Sequence, residues 1–197
     1  MAFVLNGSGS ITGLSAGGLP DGSVTADDIA STLDLSGKTV TLPAGTGGKV
    51  LQVVDSGAQT TSSMSQSTTF IDANCTATIT PTSASSKIIV MVTQTIQVWN
   101  DSSYATGRWK IQRNVGGGAF SDIYIDSNSQ NGNIFAYDYG NSGINIYRPT
   151  SYTMVDSPST TSAVIYKTQI ARGSNGGNRI EVNTNSPGRM ILMEIAV

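Results

Sequence analysis

The feature that most constrains this chain is a series of short apolar runs that begins at Lys49 and continues to Val197. Many of the runs alternate apolar and polar residues, and clusters of Gly, Asn, Ser and Pro separate them. Alternation with period two is typical of half-buried β-strands, and closely spaced strands of this kind are typical of a sandwich or barrel. We therefore predict that residues 49–197 form an all-β domain, a jelly-roll-like β-sandwich knob.

The apolar runs predict roughly nine to eleven strands. Gly116-Gly117-Gly118 is expected to close a hairpin, and residues 127–149 have only weak strand character. The clearest predicted strands are Lys49–Asp55, Thr68–Thr80, Lys87–Trp99, Arg108–Val115, Phe120–Asp126, Tyr152–Ser157, Ala163–Ala171, Asn178–Asn183 and Arg189–Val197.

Two of these strands predict the centre of the domain. In Lys87–Trp99 the even positions are apolar and share one face, which only Gln94 interrupts, while the odd positions become polar late in the strand. Arg189–Val197 is almost wholly apolar, so we expect it centrally in a sheet or at a subunit interface. Trp109 and Tyr166 are expected in the core.

Residues 1–48 differ in composition from the rest and predict an extended N-terminal segment. Small residues dominate, and most apolar residues stand alone among Gly and Ser, so the segment cannot bury a core by itself. Pro20-Asp21-Gly22 predicts a turn. Thr25 with Asp28 resembles a capping box, which predicts one short helix over Ala26–Leu33.

Composition argues against an enzyme. The chain has no His, a single Cys (Cys75) and only two Glu, which removes the usual general base, an intrachain disulfide and a thiolate zinc site. We expect Cys75 to be a buried apolar residue. The formal net charge of −2 offers no electrostatic attraction to nucleic acid. The sequence therefore predicts no catalytic residues, no cofactor, no metal and no nucleic-acid partner.

The sequence also predicts no membrane insertion. No stretch of 18 apolar residues occurs, and the first residues lack the basic region of a secretory signal. We expect the protein to be made in a cytoplasm and to stay there or leave by lysis.

Several segments resemble phage fibre proteins. The matching residues are 18–30 (GLPDGSVTADDIA), 35–43 (LSGKTVTLP), 47–54 (GGKVLQVV), 81–88 (PTSASSKI), 156–158, 162–167 and 193–196. They are similar to segments of fibre-like virion proteins of marine phages, including those of cyanobacteria. The resemblance covers most of the chain and stops between about Trp99 and Tyr152, where host-recognition proteins are expected to differ.

The resemblance implies a trimeric tail fibre in the virion, with an N-terminal segment that attaches it to other tail or capsid proteins. We expect the trimer contact on the face of Arg189–Val197 or of residues 87–92. Apolar residues of the N-terminal segment are then expected to anchor the chain in the virion: Phe3, Val4, Leu5, Ile11, Leu14 and Leu19.

Residues 99–152 concentrate aromatic side chains among Asn, Ser and Gly, which is the composition of antibody contact loops. Rigid aromatic rings stack on sugars while amides and hydroxyls form hydrogen bonds with them. We predict contacts with a host surface glycan or protein; the alternative is that these aromatics pack in the core. The predicted contact residues are Tyr137, Tyr139, Tyr147 and Arg148, then Trp99 and Tyr104.

Three alternatives remain at this point. A head fibre, capsid-decoration or tail-adaptor protein would have a structural role only. A calcium loop at Asp126–Gly132 is less favoured than an Asn-rich hairpin loop, since no bidentate Glu follows. A glycan-cleaving enzyme would need two close carboxylates; Asp122, Asp126, Asp138 and Asp156 are available but are better explained as surface residues in turns.

Overall fold

A computed structural model describes residues 49–101, 104–125, 134–137, 143–173 and 179–197. These residues form eleven strands and no helix. The predicted helix at Ala26–Leu33, the loop at Asp126–Gly132 and the six anchor residues from Phe3 to Leu19 lie outside them. The strands are β1 (Val50–Asp55), β2 (Ser63–Ser65), β3 (Ile71–Ile79), β4 (Lys87–Asn100), β5 (Tyr104–Val115), β6 (Ser121–Ile125), β7 (Ile134–Tyr137), β8 (Ile144–Asp156), β9 (Val164–Arg172), β10 (Arg179–Val182) and β11 (Arg189–Ile195).

The strands form two antiparallel sheets. In the first sheet β1, β11, β4 and β8 are neighbours in that order. β10 pairs with the later part of β4 beside β11, and β2 pairs with β10. The second sheet has the order β3-β9-β5-β6, and β7 pairs with the beginning of β5.

The strand order is that of a jelly roll. Apart from the short strands β2, β7 and β10, the first sheet contains β1, β11, β4 and β8, and the second contains β3, β9, β5 and β6. Each step along these eight strands crosses to the other sheet, except the hairpin from β5 to β6. This arrangement confirms the predicted all-β, jelly-roll-like sandwich.

The core lies between the sheets, where the alternation placed it. The even positions of β4 point inward, and Ile88, Val90, Val92, Ile96 and Val98 are almost wholly buried. Opposite them the second sheet contributes Trp109, Tyr166 and Ile170, together with Cys75, all buried. The central position of β11, between β1 and β4, also agrees with its apolar sequence.

Gln94 interrupts the apolar face of β4 because it joins the two sheets through hydrogen bonds. Its Nε2 donates to Ala73 O at 2.8 Å and Asn183 Oδ1 at 3.2 Å. Its Oε1 accepts from Trp109 Nε1 at 3.1 Å and Thr168 Oγ1 at 2.8 Å. A buried amide with all of these partners avoids the penalty of an unsatisfied polar group.

Glu194, the inward-facing acid of β11, is wholly buried. Its Oε2 accepts from Gln52 Nε2 at 2.5 Å, and its Oε1 accepts from the backbone N–H and hydroxyl of Thr82 at 2.7 and 2.8 Å. Burial raises the pKa of this carboxyl, but the hydrogen bonds from Gln52 and Thr82 outweigh it and lower the pKa to about 2. Glu194 thereby joins β1, β11 and the turn before β4.

Some details differ from the sequence-based prediction. β8 begins at Ile144 and not at Tyr152, and β5 begins at Tyr104 and not at Arg108. The early part of β8 was missed because Pro149 and several polar residues break the alternation; Pro is tolerated there because β8 pairs only with β4 among the described strands. Lys110 points to the outward face of β5, yet it is buried beside the ring of Phe70.

Candidate functional site

The outward face of the first sheet carries an aromatic and polar cluster where β10, β4 and β8 lie side by side. Two rows of cross-strand neighbours form it: Glu181, Gln97 and Tyr147 in one row, and Arg179, Trp99 and Asn145 in the next. Directly opposed residues of an antiparallel pair lie on the same face, so all six share the surface. We call this cluster the aromatic patch.

Charged and aromatic groups are in contact within the aromatic patch. The guanidinium of Arg179 lies 4.9 Å from the centroid of the Trp99 ring, a cation–π contact, and its Nε is 3.5 Å from Glu181 Oε2. Tyr147 lies diagonally across from Trp99, at a separation of about 7–8 Å between Cα atoms that aromatic side chains can bridge. Tyr147 is 42% exposed.

Amides fill the space between the two rings. Gln97 Nε2 donates to Asn145 Oδ1 at 2.5 Å, which fixes both side chains. Gln97 is buried at this surface, whereas Asn145 is exposed. The patch therefore combines ring surface with amide and charged groups that can form hydrogen bonds, as binding surfaces do.

The structure separates the predicted contact residues into groups. Trp99 and Tyr147 lie on the aromatic patch. Arg148 follows Tyr147 in β8 and therefore points to the opposite face of the sheet, where it is exposed. The backbones of Tyr104 and Tyr137 are direct cross-strand neighbours in the second sheet, and Tyr139 lies outside the described residues.

Sequence reasoning missed four members of the aromatic patch: Gln97, Asn145, Arg179 and Glu181. A signal existed for two of them, because the inward positions of Ile180 and Val182 in the predicted strand Asn178–Asn183 place their odd-numbered neighbours outward. The pairing of this strand with the end of β4 could not be predicted, since it joins residues far apart in the chain.

The other end of the same outward face is apolar. One row crosses four strands, from Val53 in β1 through Met193 and Ile89 to Val155 in β8, and Ile191 and Met91 form part of the next row. Val53 is 55% exposed and Val155 is 59% exposed. We call these six residues the apolar patch. It includes the outward residues of both stretches that the sequence predicted at a subunit contact.

The carboxylates that could have formed a glycosidase pair do not come together where they are described. Asp156 is buried against Arg113, whose Nη1 lies 2.7 Å from Asp156 Oδ1, and it accepts from the Tyr166 hydroxyl at 2.7 Å. Asp122 instead pairs with Lys110 on the outward side of the second sheet, at 2.8 Å. Asp126 and Asp138 lie outside the described residues.

In the described part of the chain, Cys75 gives no reactive thiol and the acidic side chains form no metal site. Burial raises the pKa of the Cys75 thiol to about 12, so it stays protonated at neutral pH. Among residues 49–101, 104–125, 134–137, 143–173 and 179–197, no group of three or more His, Cys, Asp or Glu is placed to hold a metal ion. The same residues include no helix long and apolar enough to cross a membrane.

Known proteins that are similar to this chain occur among solved structures. No protein-family model matches the chain, and no curated protein matches it. Among solved structures, one of infectious bursal disease virus, Gx strain, aligns at 9% identity over 72% of this chain and 31% of that chain, with a TM-score of 0.36. A Gt-strain structure aligns at 8% identity over 81% and 42%, also with a TM-score of 0.36.

A third structure, the VP2 subviral particle of infectious bursal disease virus, aligns at 13% identity over 74% of this chain and 38% of that chain, with a TM-score of 0.28. This chain thus corresponds to less than half the length of each of these proteins. Alignments with such TM-scores do not establish a shared fold, and the resemblance to phage fibre proteins stays a prediction from the sequence.

Proposed function

We propose that this chain is a virion adhesin, a fibre knob that contacts a glycan or protein on the surface of a bacterial host through the aromatic patch. The observation that carries the proposal is the placement of Trp99 and Tyr147 on one outward face, with the amides of Gln97 and Asn145 between them. Binding of this kind needs no catalytic group. The virion context comes from the resemblance of the sequence to phage fibre proteins.

The chemistry of the aromatic patch favours a sugar-bearing surface. Aromatic rings offer flat apolar area for the non-polar faces of sugar rings, and amides donate to and accept from sugar hydroxyls. Trp99 and Tyr147 come from adjacent strands paired in register, which holds the rings on a rigid scaffold. Rigid aromatic contacts lose little conformational entropy on binding.

We further propose that three copies associate through the apolar patch and that residues 1–48 connect the knob to other tail or capsid proteins. An exposed apolar row across four strands would be stabilised by burial against a copy of itself. Three identical weak sites in one assembly would bind a host surface with much higher avidity than a single site.

A second candidate function is a head-fibre, capsid-decoration or tail-adaptor role without recognition of the host. The exposed apolar patch favours it, because the same surface could be covered by a different virion protein. Jelly rolls occur both in capsid proteins and in lectins, so the fold alone does not choose between the two functions.

The test is binding of the labelled full chain to candidate host cells, in competition with polysaccharide isolated from their surface. We expect saturable binding that falls about tenfold when Trp99→Ala or Tyr147→Ala removes one ring. Ser151→Ala is the matched control, because Ser151 is exposed on the same face of β8 outside the aromatic patch.

Two results would contradict the adhesin function. One is the absence of binding to every host that the parent virion infects. The other is host binding that neither aromatic substitution changes. Either result would leave the decoration or adaptor role, and the rings would then be packing residues. Arg148→Ala in the same assay reports whether the opposite face of β8 takes part.

A further inference from the structure

A β-bulge interrupts the pairing of β3 with β9 in the second sheet. Asp72 is opposite Gln169 and Thr76 is opposite Lys167, so residues 73–75 of β3 face the single residue Thr168 of β9. Within the bulge Asn74 has a φ of 48°, in the left-handed region that Asn tolerates better than most residues. Bulges of this kind are frequent next to binding sites because they redirect side chains.

The bulge opens into a groove with two adjoining parts. One is a cavity of about 260 Å³ bordered by Asp72, Phe120 and Lys167. The other is a cavity of about 360 Å³ bordered by residues 56 and 58–61. Asn74 and Thr76 line both cavities, so the two adjoin at β3, and we call them together the groove along β3. Small-molecule sites generally occupy about 300–1,000 Å³.

Hydrogen bonds hold the walls of this groove in place. The side-chain amide of Gln59 spans the backbone of Thr76: its Nε2 donates to Thr76 O at 2.7 Å, and its Oε1 accepts from Thr76 N at 3.3 Å. Asn74 Nδ2 donates to Ser62 O at 3.2 Å. Asn183 Nδ2 donates to both Thr61 O and Asn74 O, at 3.1 and 3.3 Å. A groove that is already ordered loses little entropy when a ligand binds.

The charges at the end of the groove neutralise each other. Lys167 Nζ lies 2.7 Å from Asp72 Oδ1 and 4.0 Å from the centroid of the Phe120 ring. Gln169 Nε2 also donates to Asp72 Oδ1, at 2.8 Å. Both donors use the same oxygen, so Oδ2 of this largely exposed carboxylate is available to accept from a ligand hydroxyl.

From these observations we infer that the groove along β3 binds a neutral, hydroxyl-rich ligand, a short oligosaccharide, with Asp72 and Asn74 as hydrogen-bonding groups and Phe120 as the apolar contact. Apart from Ala58, Cys75 and Lys167, the remaining lining is supplied by hydroxyl and amide side chains, which both donate and accept, as sugar hydroxyls do. A paired Lys and Asp give the groove no net charge with which to select an anion.

This inference goes beyond the proposed function, since the groove belongs to the second sheet and its neighbouring loop, whereas the aromatic patch lies on the outward face of the first sheet. The two sites share no residue. A knob with both would contact two parts of one polysaccharide or two separate chains, which raises avidity.

The experiment is an NMR titration of the ¹⁵N-labelled full chain with neutral trisaccharides of glucose and of N-acetylglucosamine. We expect saturable shifts of the side-chain amide resonances of Gln59 and Asn74, with a dissociation constant of about 1 mM for at least one sugar. Phe120→Ala and Asp72→Ala should each weaken this binding about tenfold. Thr78→Ala, an exposed substitution outside the groove on the same strand, should not.

Absence of saturable shifts at the two amides up to about 20 mM sugar would overturn the inference, and so would shifts that Phe120→Ala leaves unchanged. Phe120 is 37% exposed and its removal should not prevent folding, which an unchanged thermal midpoint would verify. If sugar still shifts the amide resonances of Gln59 and Asn74 in Trp99→Ala while host-cell binding fails, only the adhesin function is overturned. If host cells are bound but the amide resonances of Gln59 and Asn74 do not shift, only the inference of sugar binding in the groove is overturned.

Discussion

The two ends of the outward face of the first sheet differ, although the same strand passes through both. Near its start β4 contributes Ile89 and Met91 to the apolar patch, and near its end it contributes Gln97 and Trp99 to the aromatic patch. From Ile88 to Val98 the inward positions of β4 stay apolar except at Gln94. Packing of the core therefore requires apolar residues along the inward face of β4, whereas the residue types on its outward face differ between the two ends.

The polar groups that lie on the inward side of the sheet differ as well. On the inward side of β11, next to Met193 of the apolar patch, Glu194 is held as a carboxylate by Gln52 and Thr82. Towards the aromatic patch, Gln94 connects the sheets as a neutral amide. The first interaction depends on ionisation and the second does not, so the two regions should respond differently to pH.

The largest effect is expected for Gln94→Leu. Leu keeps much of the volume but removes the oxygen that accepts from the indole N–H of Trp109 and the amide that donates to the Ala73 carbonyl. Each buried unsatisfied group costs about 1–3 kcal/mol, so we expect a loss of about 4 kcal/mol in the free energy of unfolding, measured in urea. Gln97→Leu, on the outward side of the same strand, is the control and should cost about 1 kcal/mol. Equal losses in the two variants would contradict the role of Gln94 in joining the two sheets.

Acidification should give the next effect, through Glu194. Its pKa is about 2 in the folded protein, below the ordinary value of 4.5, so the stabilisation is present above pH 4.5 and is lost as the pH falls towards 2. The shift corresponds to about 3 kcal/mol. Unfolding in urea at several pH values measures it. Glu194→Gln should be less stable at pH 7, and its free energy of unfolding should depend less on pH between about 4.5 and 2. An unchanged pH dependence in this variant would contradict the prediction.

Most of the fold could be predicted from the sequence because the core imposes period two on most of the long strands; the early part of β8, where Pro149 breaks the alternation, is the exception. The inward faces of β4, β9 and β10, the burial of Trp109 and the central place of β11 all follow from that periodicity. Gln94 stood out in the sequence because it interrupts the apolar inward face of β4. Its partners could not be predicted, because they come from strands brought together only by folding.

The candidate site was predictable in part. Trp99 and Tyr147 stood out by their residue type, but their common face depends on the register that places Gln97 opposite Tyr147. A register shifted by one residue would have grouped Arg148 with Trp99. The groove along β3 had no sequence signal, because a bulge and two hydrogen-bonded walls are properties of the folded chain.

Two charged substitutions in the apolar patch test whether copies of the chain associate through this exposed surface. Val53→Asp with Val155→Asp places a charge at each end of the exposed row, on the two outer strands. Since both side chains are more than half exposed, the fold should persist. We expect sedimentation to show association weakened about thirtyfold, or about 2 kcal/mol, because burying an unpaired charge is unfavourable. A parent protein that is monomeric at every concentration would contradict the trimer.

The smallest effect concerns the hydroxyl of Tyr147. It most directly separates a sugar-binding surface from one that another protein covers. If Tyr147 acts by stacking its ring on a sugar, Tyr147→Phe should change the affinity for host polysaccharide by less than about threefold, whereas Tyr147→Ala should lower it about tenfold. Calorimetry with the isolated polysaccharide measures both. An equal loss in the two variants would mean that the hydroxyl carries the contact, as a hydrogen bond. No loss in either would mean that the aromatic end, like the apolar end, is a surface for another protein.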